Sequence, residues 1–151
     1  MFPSPLTADR RIQVNGPREV LAQRFSEVRA HTLALAAPFS AEDQCIQSMP
    51  DTSPMKWHLA HGSWFFEVVV LRAHLPGYQA FDERFFYLFN SYYEALGPRH
   101  PRPLRGLLTR PTLAQVHAYR AHVDAAVQNL VAACDDSAWR EVMPLLTLGL
   151  H

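Results

Sequence analysis

The chain has 151 residues, 48% of them hydrophobic, which is enough to bury a core and excludes a disordered polypeptide. Fourteen basic residues balance fourteen acidic ones, so the bulk charge gives no reason to expect a nucleic-acid partner. Cys45 and Cys134 form no metal or redox motif, no apolar run reaches the roughly 18 residues of a membrane span, and the opening MFPSPLTADRR lacks the order of a signal peptide, so a cytoplasmic domain with no membrane partner is expected.

Proline disrupts a helix interior but suits its first turn, so the twelve prolines act as punctuation. After a tail of about residues 1–16 they leave open slots at 18–37, 55–75, 77–97 and 112–143. Ser53-Pro54 reads as N-cap and first helical residue of the second slot. In the third, Asp82 can cap an aromatic segment that Gly97-Pro98 stops. That segment holds Phe81, Phe85, Phe86, Tyr87, Phe89, Tyr92 and Tyr93, which suit core packing or the wall of a pocket. Thr112 with Gln115 predicts a capping box for the fourth helix. Along it Val116, Val123, Val127, Leu130 and Cys134 share one face, with His117, Asp124 and Gln128 on the opposite side. His117 is therefore expected in solvent, and His122, at the edge of the apolar arc, reads as structural. EVVVL at 67–71 contains strand-forming residues, but no strand alternation appears, so an all-α antiparallel four-helix bundle is expected.

The second slot carries the chemistry. On its wheel Lys56, Ser63 and Glu67 make a narrow polar arc, and nearly everything else is apolar. His61 falls between Trp57, Trp64 and Phe65, and His58 near Phe65 and Val69, so both histidines are predicted to point inward. Burial favours a neutral imidazole, which a divalent metal requires. A buried histidine bonded to a carbonyl or carboxylate is the other outcome, and an i, i+3 pair does not separate the two. Further on, GPRHPRPLRGLLTR places Arg99, Arg102, Arg105 and Arg110 in a stretch without acids. Such a segment is either a solvated loop or a carboxylate-capturing one.

QSMPDTSPMKWHLAHGSWFFE (47–67), PGYQAFDERFFYLFNSYYEALGPRHPRPLRGLLTRP (76–111) and AYRAHVDAAV (118–127) resemble the N-terminal part of bacterial ergothioneine-biosynthesis sulfoxide synthases. The likeness runs from about residue 20 to the last residue. It implies a DinB-like helical bundle, followed in that family by a formylglycine-generating-enzyme-like domain with no counterpart in these residues. It also implies a non-haem Fe(II) site that joins hercynine to a cysteine-derived thiol with O2. Through WHLAH the resemblance carries one iron ligand onto His61 and leaves His58, Trp57 and Trp64 as its neighbours. Arg102 and Arg105 become candidates for holding substrate carboxylates. The family's other two ligands lie in an H-x-x-x-H-x-E motif just after LGLH, whereas MPLLTLGLH here ends at His151, which matches the histidine before that motif.

The expectation is thus a bundle whose last helix, a short run after Pro144, is cut before its iron site is complete. No catalytic residue is assigned, and these residues alone should neither hold Fe(II) tightly nor turn over. A separately encoded remainder is a candidate partner. The rival readings are a self-contained DinB-like metal-dependent thiol transferase, which needs three ligands inside these residues, and a non-catalytic interaction module. If His61 has no partner, an apolar replacement leaves the fold equally stable. If Arg102 and Arg105 are exposed, their removal barely moves the melting temperature.

Overall fold

A computed structural model describes residues 16–91 and 94–151, so most of the tail at 1–16, and Tyr92 and Tyr93, lie outside the described residues. Among the described residues there are six α-helices and no strand: α1 (Pro17–Ala36), α2 (Met55–Phe65), α3 (Arg72–His74), α4 (Arg84–Leu88), α5 (Leu113–Ala133) and α6 (Asp136–Gly149). A π-helical segment, Phe66–Leu71, joins α2 to α3, so the three form one continuous rod that contains the EVVVL stretch. With α1, α5 and α6 this rod makes the helical bundle. None of these helices is long and apolar enough to cross a membrane.

Cross-contacts set the directions. Phe25 meets Phe66 edge-on at 5.0 Å while Arg29 reaches Ser63, so α1 runs against the rod. Arg18 donates to the Cys134 carbonyl at 2.6 Å and Gln128 to Ser26 at 2.9 Å, so α1 also runs against α5. The rod and α5 therefore point the same way. Parallel neighbours need a long crossover, which here spans 75–112. This corrects the third expected helix: the 77–97 slot belongs to the crossover, and its described residues hold only the five-residue α4 and a 3-10 turn at Glu94–Leu96. Gly97, at φ 123°, ends that stretch as its sequence suggests.

The fourth slot also divides. Thr112 and Gln115 form the expected capping box, with bonds of 3.2 and 2.9 Å. The slot then breaks at Cys134, and Asp135 caps α6 by accepting the Ala138 amide at 2.8 Å. Pro144 sits inside α6 rather than at its start, on an exposed face where the freed carbonyl can be hydrated. Ser53 is not the N-cap of α2. Pro54 takes that position, and the Ser53 hydroxyl accepts a bond from Arg105 instead.

The polar arcs point inward, against the wheel readings. Ser63 and Glu67 are wholly buried and Lys56 is nearly so, its ammonium bonded to the Leu108 carbonyl at 3.0 Å. On α5 the supposedly solvated side meets α1: Asp124 pairs with buried Arg29 at 2.7 Å, while Gln128 reaches Ser26. Arg120, 2% exposed, ties three helices by donating to Leu59 O, Arg29 O and the Thr32 hydroxyl. Burial, then the charge of Arg29, pushes its guanidinium down to about 10. Glu67, inside the π segment, accepts from the Tyr78 hydroxyl (2.7 Å), the Phe81 amide (3.2 Å) and the Tyr119 hydroxyl (2.6 Å). His117 is exposed as expected, and His122 donates to the Gln79 carbonyl at 3.0 Å.

Candidate functional site

Turning Ser63 and Glu67 into the core rotates the histidines outward. His58 is exposed, not inward as expected, because it lies on the far side of α2 from Ser63. His61 is half-buried, its ring stacked with Trp57 at 4.8 Å and 15°, and with Trp64 at 5.6 Å and 21°.

The three rings form a ladder of donors. Trp57 Nε1 donates to Leu88 O at 2.9 Å, and Trp64 Nε1 to Phe86 O at 2.9 Å. Between them His61 Nδ1 lies 2.7 Å from Phe89 O. Positions 57, 61 and 64 follow the i, i+4, i+7 spacing of one helix face. Their acceptors are the terminal carbonyls of α4, which so short a helix cannot satisfy internally. A carbonyl only accepts, so His61 carries its proton on Nδ1 and leaves Nε2 bare. Burial pushes the His61 imidazole below its usual range, opposed by the Phe89 bond, while His58 and Arg105 add to the fall. Burial and these two neighbours favour the neutral ring, whose Nε2 makes no hydrogen bond among the described residues.

That carbonyl bond is the second of the two outcomes the sequence left open for a buried histidine, though it leaves Nε2 available, and it corrects the stability expectation for His61. His61→Leu strands Phe89 O and should cost roughly 1–3 kcal/mol. Exposed His58→Leu should stay within about 0.5 kcal/mol. Urea melts of the two variants check this.

Arg105 is equally unlike its expected exposed form. It is 3% exposed, its guanidinium lies 3.6 Å over the Trp57 ring, and its Nη1 donates to Ser53 at 2.8 Å. Burial, with Arg102 and Arg99 adding, pushes it down to about 10. Arg105→Ala should therefore lower the melting temperature, as loss of a buried partner does. Arg102 is half-buried, 3.4 Å from the Asp51 carbonyl. Although His58 keeps an exposed edge, partial desolvation and then the charges of Arg105 and Arg102 lower its imidazole, so positive potential gathers at this end of the rod.

Two clefts open there. One, of about 320 Å³ between α1 and α2, is lined by residues including Leu35, Met55, His58, Gly62 and Gly149. The other, of about 500 Å³, is lined by Phe39, Asp43, Ile46, Ser53, Met55 and His58. His58 borders both, and His61 neither.

Residues 24–147 match the DinB superfamily. The chain belongs to that superfamily. No curated protein matches it. In this DinB domain, Fe(II) can be tested against the residues present. His61 suits one coordination position, because a metal-binding imidazole commonly donates its other N–H to a carbonyl. A single nitrogen is not an iron site, however. Among the described residues of the DinB domain, no three of His, Cys, Asp and Glu gather as a metal would need. The residues present thus fit one ligand and not a set. Sequence reasoning placed His61 beside Trp57 and Trp64, as the structure does, but not against Phe89 O, since no side-chain pattern marks a carbonyl acceptor.

Proposed function

We propose that this DinB domain is the iron-site bundle of an ergothioneine-biosynthesis sulfoxide synthase, with His61 as one nitrogen ligand of Fe(II). In the complete enzyme hercynine and a cysteine-derived thiol are the substrates, joined through a C–S bond with O2. The observation that carries this is His61 itself, a neutral ring with Nδ1–H held by Phe89 O and Nε2 bare, inside WHLAH. Fe(II) would supply the oxidative chemistry, and the role of this domain is to hold and orient. The remaining ligands must come from elsewhere. Gly149 approaches Phe65 and Phe66, and Glu141 lies 3.7 Å from His74, so α6 runs against the rod. One to two turns further along that axis is level with His61 and His58. Arg102, and Arg105 seated on Trp57, give this end the positive charge that substrate carboxylates need.

Exposed Leu35, Phe39 and Ile46 at the two clefts favour a second reading. An apolar rim of this kind suits an interaction module, with a separately encoded remainder as its partner. No observation favours a self-contained thiol transferase.

Oxygen uptake tests the first reading. Residues 1–151 joined to a family-type segment carrying H-x-x-x-H-x-E and the formylglycine-generating-enzyme-like domain should consume O2 with Fe(II), hercynine and thiol, and residues 1–151 alone should not. Turnover by residues 1–151 alone above a metal-only control contradicts it, as does an inactive joined protein.

A further inference from the structure

Histidine free in water favours the proton on Nε2, the reverse of what His61 adopts. Something must hold the ring the other way round, and the Phe89 carbonyl does so only while it lies in the imidazole plane. Phe89 O lies at the C-cap of a five-residue helix, too short to be stable on its own. On either side of His61, Trp64 and Trp57 pin the carbonyls of Phe86 and Leu88 through their indole N–H groups. Trp57 is held in turn by Arg105, which lies 3.6 Å over its ring and is anchored on Ser53. The same two indoles lie within 15° and 21° of the imidazole plane, so stacking on both faces favours the orientation that points Nδ1 at Phe89 O.

We propose that Trp57 and Trp64 are positioning residues that set the tautomer of His61: by pinning the end of α4 and clamping the ring, they keep the proton on Nδ1 and aim bare Nε2 in one direction. The use of that nitrogen as an iron ligand rests on the proposed function; the tautomer does not, and it is measurable without metal. The device also links two distant segments. The crossover at 84–107 supplies the acceptors and Arg105, whereas α2 supplies the donors, so displacement of the crossover would release the imidazole.

The test is long-range 1H–15N correlation of metal-free, 15N-histidine-labelled residues 1–151 at alkaline pH, where imidazoles are neutral. The His61 signals are assigned by their loss in His61→Gln. Wild type should show a single Nδ1–H form. Trp57→Phe and Trp64→Phe, which keep a stacking ring but lose the N–H, should each admit the Nε2–H form to a readily detected fraction. Val142→Ala, a core truncation in α6 remote from the ladder, should weaken the fold without changing the tautomer. Both Trp→Phe variants keeping the pure Nδ1–H form would overturn the proposal and reduce the tryptophans to packing. If neither variant folds, the wild-type spectrum decides: a mixture of tautomers there overturns it too. Loss of iron binding with the tautomer intact would instead count against the proposed function.

Discussion

Glu67→Ala should destabilise the fold by about 3 kcal/mol, a large share of the roughly 5–15 kcal/mol available to a domain of this size. The carboxylate is wholly buried and receives the Tyr78 and Tyr119 hydroxyls and the Phe81 amide, with no cation touching it among the described residues. Its removal strands three donors, each costing on the order of 1–3 kcal/mol, partly offset by no longer burying a charge. It also frees the π segment from both α5 and the crossover. Glu67→Gln keeps an acceptor oxygen and should lose less. Burial comes first, and Glu67 second, in pushing both tyrosine hydroxyls above their ordinary range. For such groups the stabilisation is fully present below the unfolded value of about 10 and is lost as pH rises beyond it. Alkaline titration followed by tyrosinate absorbance should show Tyr78 and Tyr119 ionising only with unfolding. Early ionisation of both in the wild type, or a Glu67→Ala variant as stable as wild type, would contradict this account.

Arg29→Met should cost about 3 kcal/mol. The variant breaks a pair between a guanidinium 7% exposed and a carboxylate 29% exposed, and leaves Ser63 without its donor. Breaking one side of a buried pair typically costs about 3–5 kcal/mol, and the partial exposure of Asp124 sets the lower end. Burial already raises the Asp124 carboxyl, opposed by Arg29 and Arg120. Without Arg29 the rise must grow. A raised carboxyl favours the fold below its unfolded value and loses that contribution as pH climbs through the folded one. The deficit of Arg29→Met should therefore be full at neutral pH and shrink on acidification towards about 4. Adding Asp124→Leu should recover part of it, because no unpaired charge then remains. Chemical melts across pH for the two single variants and the double variant measure this, and a pH-independent deficit would contradict it.

These two networks show where sequence reasoning stopped. Helix existence was legible at 18–37, 55–75 and 112–134 from proline spacing and the Thr112 box, since those signals are local. The crossover was not. Its aromatics have a helix-like density, yet Phe85 and Phe89 pack into the core and the carbonyls of Phe86, Leu88 and Phe89 serve as acceptors for the rod, because the rod and α5 run parallel and the chain must return between them. The wheel readings held for the apolar face of α5, where Val116, Val123, Val127 and Leu130 are buried, and failed where polar side chains were assigned to solvent. On a rod apolar almost all round, a narrow polar arc can instead be the seam where buried partners meet. The clue was present in Arg29, Arg120 and Asp124, which supply opposite charges at helical spacing, but only the register of the bundle pairs them. The wheel placed His61 beside Trp57 and Trp64, and the WHLAH resemblance, not the spacing, singled it out from His58. Its bond to Phe89 O and the burial of Arg105 needed coordinates.

The most direct test of the central claim is stoichiometric Fe(II) titration under anaerobic conditions, using residues 1–151 joined to a family-type segment carrying H-x-x-x-H-x-E. The account predicts one Fe(II) per wild-type chain, one for His58→Leu, and none bound tightly for His61→Leu, with the His61→Leu protein shown folded by its helical circular dichroism. Iron binding that survives His61→Leu, or is lost in His58→Leu instead, would contradict it.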